Sequence, residues 1–153
     1  MRTVTGRIEI ARPVEEVFDF VADERNEPRY NEEMLSCEKV TSGPVGVGTR
    51  YAAKMKAMGR ITPMTIEVTG YEKPVRLASW SHIAGTMDIR GAVTFEAIPN
   101  GTLMSWRWDL EPHGRVKLLG PIITRMGRHQ EERIWKSLKT LIESEPQPAA
   151  ANT

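Results

Sequence analysis

Strict alternation of apolar and polar residues marks much of this chain as half-buried β-strand. In the first such segment, TVTGRIEI, the residues Val4, Gly6, Ile8 and Ile10 share one face, and polar residues occupy the other. Successive side chains of a strand point to opposite faces, so this pattern predicts one buried and one solvated face. Six further segments between residues 34 and 112 alternate similarly, separated by turn signals such as SGPVGVG, EKPV and PNG. Their short spacing predicts a meander of antiparallel strands.

Apolar residues recur every three or four positions in two other parts of the chain, which predicts helices there. The first is ARPVEEVFDFVAD, where Pro13 suits the first turn. The polar segment ERNEPRYNEEM contains Pro28 and predicts a short broken helix or an ordered loop. A long helix is predicted from about Gly114 to Ser144, and Pro121 either lies in its first turn or kinks it. The residues expected to share one face of its first half are Leu119, Ile122, Ile123 and Met126.

The order of these elements predicts an α+β fold. We expect a curved seven-stranded antiparallel sheet wrapped around the long C-terminal helix, with two short helices after strand 1. A sheet with one apolar face needs a cover, and the C-terminal helix is the only predicted element large enough. We predict a single domain over residues 1–144 and a disordered tail over residues 145–153, where PQPAAANT is small, polar and interrupted by proline.

Composition and charge narrow the range of functions. Of the 153 residues, 40% are hydrophobic and 27% are charged, which is typical of folded soluble domains. The net charge of +1, without a basic run, argues against a nucleic-acid partner. No apolar run approaches the ~18 residues of a membrane span, so no integral membrane contact is predicted. The N-terminal segment lacks the apolar core of a secretory signal, and Cys37 is the single cysteine, so we expect a cytoplasmic protein.

The usual metal and nucleotide motifs are missing from the sequence. There is no HExxH, CxxC, GxGxxG or GxxxxGK[ST] pattern, so neither a metal nor another cofactor is predicted. Cys37 has no assignable base and is interpreted as a packed side chain rather than a nucleophile.

Several segments, taken in order, resemble the START/Bet v 1-like (SRPBCC) superfamily, in particular its bacterial polyketide cyclase/dehydrase branch. They are ARPVEEVFDFVAD, RNEPRYN, GPVGVGTRY, YEKPVRLA, RGAVTFEAIPNGTLMSWRWDLEP and the helix that follows, which together span Ile8 to Glu143. Members often carry Trp where this chain has Tyr30, and Pro where it has Glu32. The resemblance implies a helix-grip fold with a deep, mostly apolar cavity. It does not imply one activity, because the superfamily includes carriers, aromatases and cyclases.

The segment SWRWDL provides the first candidate ligand contacts, Trp106 and Trp108. Both rings lie on the predicted inner face of the last strand, where they either fill the core or form the cavity wall. Methionines are flexible and polarizable, and those on predicted inner faces suit an adaptable pocket or a gap in the core. The complete set of candidate ligand contacts is Trp106, Trp108, Met55, Met64, Met87, Trp80, Phe95, Met126 and Gln130.

Three polar residues are weak candidates for catalysis: His82, Arg133 and Tyr30. His82 shares a face with Trp80, but the inner face of the strand Arg76–Ile83 stays open between two sets of apolar residues. Gln130 and Arg133 interrupt the apolar stripe of the long helix. Either the packing face shifts there, or both residues face the cavity and meet a polar group of the ligand.

Three functions remain open at this point. The first is a protein that binds a small hydrophobic molecule, such as a lipid or a polyketide-like compound, in an internal cavity. The second is a polyketide aromatase/cyclase or dehydratase acting in that cavity, and the third is a protein-interaction module with a filled interior. A cavity above ~300 Å³ would favour the first two. Converging ionisable groups inside the cavity would favour the enzyme, and an entirely apolar wall would favour the carrier. The oligomeric state is not predicted.

Overall fold

The computed structural model describes residues 2–57 and 59–145. Its seven strands form one antiparallel sheet in the order β1-β7-β6-β5-β4-β3-β2. The predicted meander is therefore confirmed, and the first strand closes against the last one. The proposed disordered tail lies outside the described residues, apart from Glu145, as does Met58. The strands are β1 (Arg2–Ile10), β2 (Met34–Lys39), β3 (Arg50–Ala57), β4 (Arg60–Glu72), β5 (Arg76–Ile83), β6 (Met87–Ile98) and β7 (Gly101–Pro112).

Two α-helices and two short 3-10 helices complete the fold. Helix α1 (Val14–Ala22) follows Pro13, and a 3-10 helix (Glu24–Arg29) contains Pro28, so the polar segment forms a short broken helix as predicted. A second 3-10 helix (Gly114–Leu119) leads into the long helix α2 (Gly120–Ser144). Pro121 lies in the first turn of α2. A backbone N–H there would have no intrahelical acceptor, so proline costs the helix no hydrogen bond.

Helix α2 lies across the concave face of the sheet, and its two ends pack differently. Its C-terminal half joins α1 and strands β1, β6 and β7 in the main core, through Ile134, Trp135, Leu138 and Ile142. Its N-terminal half makes a smaller cluster with β1 and β7 around Ile123. The inner faces of β3 and β4 form a third cluster with Met34 and Ile83. Space remains where the middle of α2 crosses the sheet.

The predicted packing face of the first half of α2 is wrong in part. Of its four residues only Ile123 is buried, whereas Ile122 and Met126 are 54% and 55% exposed. The face that meets the sheet continues from Ile123 in four-residue steps through Gly127 and Glu131 to Trp135, because this row lies directly over β1 and β7. Ile122 and Met126 lie on neighbouring rows and turn toward solvent or the cavity rim.

Among the described residues, no helix is both long and apolar enough to cross a membrane.

Candidate functional site

A cavity of about 520 Å³ lies between α2 and the concave face of the sheet. A smaller pocket of about 100 Å³ adjoins it toward β5 and the 3-10 helix Glu24–Arg29. The two spaces meet at one wall, and we call them the outer and inner chambers. The residues that line both chambers are Glu27, Met64, Ile89, Trp108, Glu131 and Ile134.

Apolar side chains of the strands form one wall of the outer chamber. Alternation places Met55, Met64, Met87, Ile89 and Leu110 on the inner face of the sheet, where they line the chamber. Three of the four predicted methionines are among them, and the fourth, Met126, lies at the rim on α2. Glycine allows the helix to approach the opposite wall, because a Cβ at Gly127 would lie only 3.3 Å from Leu110 Cδ1.

Glu131 is the central polar group of the cavity. Its Oε2 accepts two indole hydrogen bonds, from Trp108 Nε1 at 2.9 Å and from Trp135 Nε1 at 2.7 Å. Burial raises the pKa of this carboxyl to about 7, although both indole bonds favour its charged form. Both donors bind one oxygen, so the lone pairs of Oε1 are left for another partner. At neutral pH Glu131 therefore exists in both protonation states.

Two further carboxyl groups, Glu24 and Glu27, line the inner chamber from the 3-10 helix. Burial raises the pKa of Glu24 well above its usual value, and the adjacent Glu27 adds to the effect through its charge and a side-chain hydrogen bond. Glu27 also accepts a 2.9 Å bond from Asn31 Nδ2, which fixes its orientation. The charge of Glu27 in turn helps to raise the pKa of Glu131. Glu27 and Glu131 thus lie where the two chambers meet, and Glu24 adjoins them in the inner chamber.

The two tryptophans of SWRWDL have different surroundings. Trp108 lines both chambers and donates to Glu131, whereas Trp106 is 5% exposed in the main core, with its ring centre 5.8 Å from that of Trp135. Each ring covers a glycine of the neighbouring strand, Trp106 over Gly6 and Trp108 over Gly91, where a Cβ would overlap the ring. The expected placement of Trp106 in the cavity wall is therefore corrected.

Phe95 is also placed in the core rather than in the cavity. It is 5% exposed, and its ring meets Phe18 of α1 edge to face at 5.3 Å. The inner face of β6 changes along its length from cavity wall to core, because α1 covers only the end of the strand that carries Phe95.

The inner face of β5 carries the residues that alternate with Trp80. Ser81 pairs with Ile66 and Ile89 on the neighbouring strands, both of which point inward, so Ser79, Ser81 and Ile83 line the chambers. Trp80 and His82 therefore lie on the outer face, which the sequence had left open, so Trp80 is corrected as a candidate ligand contact and His82 as a candidate catalytic residue. Pattern alone could not settle this face, because two of the inward residues are serines.

The remaining predicted residues lie at the two ends of the cavity. Gln130 and Arg133 line the outer chamber, as one of the two interpretations of α2 expected. The Arg133 side chain is 63% exposed, and its Nη2 lies 3.8 Å from Glu33 Oε1, so it belongs to the rim.

Tyr30 is buried in the wall of the inner chamber, where burial raises the pKa of its hydroxyl well above the usual value and keeps it protonated. Burial also raises the pKa of Cys37 to about 12, so this side chain is a packed thiol.

Sequence reasoning missed the three carboxyl groups. Glu131 had a detectable signal, because it lies in the four-residue row from Ile123 through Gly127 to Trp135 and is the only charged member of that row. Glu24 and Glu27 lie in a segment that is polar throughout, so nothing in the sequence distinguishes them from solvated residues.

A family model described as polyketide cyclase/dehydrase and lipid transport matches residues 1–143 of the chain. The chain belongs to this family. Its members' description covers both catalysis and transport, so membership by itself does not select between the two. The resemblance noted in the motifs, from ARPVEEVFDFVAD to the last helix, is thereby confirmed.

Solved structures show the same helix-grip fold. A START superfamily protein from Mycobacterium smegmatis superimposes with a TM-score of 0.81 at 17% identity, over 94% of this chain and 98% of that one. A protein from Thermus thermophilus gives a TM-score of 0.79 at 22% identity, over 94% and 99% of the two chains. The protein Ara h 8.0201 gives 0.73 at 15% identity, over 94% and 99%. At these identities the likeness concerns the fold.

An uncharacterised protein of Mycobacterium tuberculosis is similar in sequence, with 29% identity over 128 residues. The match covers 80% of this chain but 44% of the relative, so the chain spans less than half of that protein's length.

Proposed function

We propose that this protein binds a small, mostly apolar molecule in the two chambers, with a hydroxyl or keto group of the molecule hydrogen-bonded to Glu131. One observation carries the proposal: a carboxyl group held by two indoles lies in the wall of an apolar cavity of about 520 Å³. Pockets for small organic ligands usually measure about 300 to 1,000 Å³ and contain a few placed polar groups in an apolar wall. An interaction module with a filled interior does not fit this cavity.

The chemistry of Glu131 limits which polar group the ligand can present. Its carboxyl has a pKa of about 7, so near neutral pH it can either accept or donate a hydrogen bond. A hydroxyl group satisfies both forms, and a keto group satisfies the protonated one. A carboxylate on the ligand would be repelled by Glu27 and by ionised Glu131. We therefore expect a hydroxylated or keto lipid or polyketide-like compound whose polar group at Glu131 is not a carboxylate.

The proposal can be tested with protein purified from its own source. Native mass spectrometry under gentle conditions should show a small molecule bound one-to-one. In parallel, the protein freed of ligand should bind the neutral apolar amine N-phenyl-1-naphthylamine saturably, with increased and blue-shifted fluorescence. If no molecule co-purifies and neither this probe nor a panel of hydrophobic hydroxy compounds raises the unfolding temperature, the chain is not a binding protein of this kind.

A second function is favoured by the convergence of Glu24, Glu27 and Glu131. The raised pKa values of Glu24 and Glu131 beside the cavity suit general acid–base catalysis near neutral pH, which contributes about 10²- to 10⁴-fold to a rate. In a dehydration, ionised Glu131 would take a proton from the carbon beside a keto group. Protonated Glu24 would donate its proton to the departing hydroxyl group, which leaves as water. Of the three residues predicted as catalytic, only Tyr30 lies near this arrangement.

Glu131→Gln distinguishes the enzyme from the carrier, because it keeps an oxygen for the indoles but cannot exchange a proton. The test compound is a thioester whose acyl chain carries a hydroxyl group β to a ketone. The wild-type protein should remove water from it, which mass spectrometry detects, and the variant should bind it without conversion. Glu132→Gln, next to it on the exposed side of α2, is the matched control and should convert it normally. If the wild type binds the compound without converting it, the carrier function stands and this dehydration is excluded.

A further inference from the structure

On the outer face of the sheet, away from both chambers, three side chains with metal-binding groups converge. His82 Nδ1, Asp88 Oδ1 and His113 Nε2 lie within 4.8 Å of one another. Both ring nitrogens approach the same carboxylate oxygen, His82 Nδ1 at 2.6 Å and His113 Nε2 at 2.9 Å. We propose that His82, Asp88 and His113 bind a divalent transition metal ion of the zinc class.

The backbone fixes the positions of all three residues. His82 on β5 and Asp88 on β6 are directly opposite each other in the strand register. His113 follows β7, and its backbone N–H donates to Thr86 O at 2.8 Å, which joins the end of β7 to the β5–β6 turn. The three ligands thus come from three adjacent chain segments, so their approach is a property of the fold and not of one flexible loop.

Asp88 is prepared as a ligand that binds through one oxygen. Its Oδ2 accepts a hydrogen bond from Trp80 Nε1 at 3.1 Å, which leaves Oδ1 toward the histidines. Such outer hydrogen bonds orient the ligands of protein metal sites.

The donor set and its accessibility select the type of ion. Two imidazoles and one carboxylate suit zinc and the neighbouring transition metals, whereas magnesium and calcium prefer oxygen ligands. The side chains of His82, His113 and Asp88 are 43%, 36% and 14% exposed, so an ion can reach them and keep a water or another ligand. Arg90, opposite Trp80 in the strand register, lies over the Trp80 ring and is paired with Glu111 at 3.7 Å.

To bind a metal ion, the two imidazoles need to move only a short distance. If they are neutral, neither has to lose a proton to the solvent. Ligand atoms around tetrahedral zinc are about 3.3 Å apart, given bonds of about 2.0 to 2.1 Å. The two imidazoles must therefore move slightly away from Asp88 Oδ1 to admit the ion. Each proton now shared with Asp88 can transfer to the other nitrogen of its ring, which changes the tautomer and frees the coordinating lone pair.

The 153-residue chain without a tag tests this site, after a chelator has removed bound metal and has itself been removed. Titration with ZnCl₂ in a calorimeter should show one saturable site. CoCl₂ should produce visible absorption bands typical of low-coordinate cobalt, which zinc abolishes. His82→Gln and His113→Gln keep a side-chain N–H that can donate to Asp88 but lose the imidazole, and each should weaken zinc binding at least tenfold.

His129→Gln is the matched control, because His129 is the remaining histidine of the chain and lies at the cavity instead. It should bind zinc as the wild type does. Circular dichroism establishes that the variants are folded. The proposal is overturned if the wild type binds neither metal saturably, or if the double variant His82→Gln/His113→Gln binds zinc as tightly as the wild type. Neither result depends on whether the internal cavity binds a ligand.

Discussion

Trp106 and Trp108 show how two identical side chains, two positions apart on one strand face, differ in what they contact. The Trp108 indole N–H donates to Glu131, whereas the buried Trp106 Nε1 has no hydrogen-bond partner among the described residues. The difference arises from α2, which places Glu131 over Trp108 and Trp135 against Trp106. Alternation places both rings on the inner face, but it contains no information about which residue of the helix each ring meets.

Replacing each of these tryptophans by phenylalanine separates a cavity contact from a core contact. Trp108→Phe removes a hydrogen bond to Glu131, worth about 1.5 to 3 kcal/mol when the carboxyl is ionised, and opens the wall shared by both chambers. We expect it to weaken binding of N-phenyl-1-naphthylamine about tenfold, as measured by fluorescence titration. Trp106→Phe loses no hydrogen bond and should reduce the free energy of unfolding with little change in the dissociation constant. Equal losses of binding in the two variants would mean that Trp106 also contacts the ligand.

Whole elements were predicted more completely than single positions. The seven strands, their antiparallel pairing and both helices follow from period and turn residues, whereas the start of α2 at Gly120 was one of two alternatives left open by Pro121. The inner face of β5 does not, because Ser79 and Ser81 point inward while Trp80 points outward. A cavity reverses the usual rule, since small or polar residues on an inner face leave the space that a ligand needs. Periodicity predicts where a core should be and cannot show where it is left unfilled.

Strand β6, which contributes to the walls of both chambers, offers a direct test of this unfilled space. Ile89 lies on the inner face of β6 and lines both chambers. Ile89→Trp should place an indole in the cavity and lower the affinity for N-phenyl-1-naphthylamine at least tenfold. It should keep or raise the unfolding temperature, because added apolar surface fills a void instead of overpacking a core.

The exposed Val75, in the turn before β5, provides the control for Ile89→Trp. Val75→Trp introduces the same ring at a position 54% exposed and should leave probe binding unchanged. A marked loss of stability in Ile89→Trp, with probe binding retained, would show that Ile89 packs against other side chains and that the space beside it is not the binding site.

At the scale of the whole molecule, the fold keeps an ionisable group in a cavity that α2 closes, at a cost to stability. The main core and the cluster around Ile123 hold the two ends of α2, and the sheet closes around its middle. Glu131 therefore stays in surroundings where burial raises its pKa, whereas in the unfolded chain it titrates near its usual value of 4.5. This difference links the protonation of one cavity residue to the stability of the entire domain.

The sign of this linkage gives a pH prediction. Between pH 4.5 and about 7 the folded protein holds a proton on Glu131 that the unfolded chain has lost, so the free energy of unfolding should fall as the pH rises through this window. Glu131→Gln removes this dependence and should be more stable than the wild type above pH 7, by about 1 to 3 kcal/mol. Urea unfolding at a series of pH values measures both curves. Glu24 has a raised pKa of the same sign, so some slope should remain in the variant. Glu132→Gln should follow the wild type, and parallel curves for wild type and Glu131→Gln would show that Glu131 titrates normally.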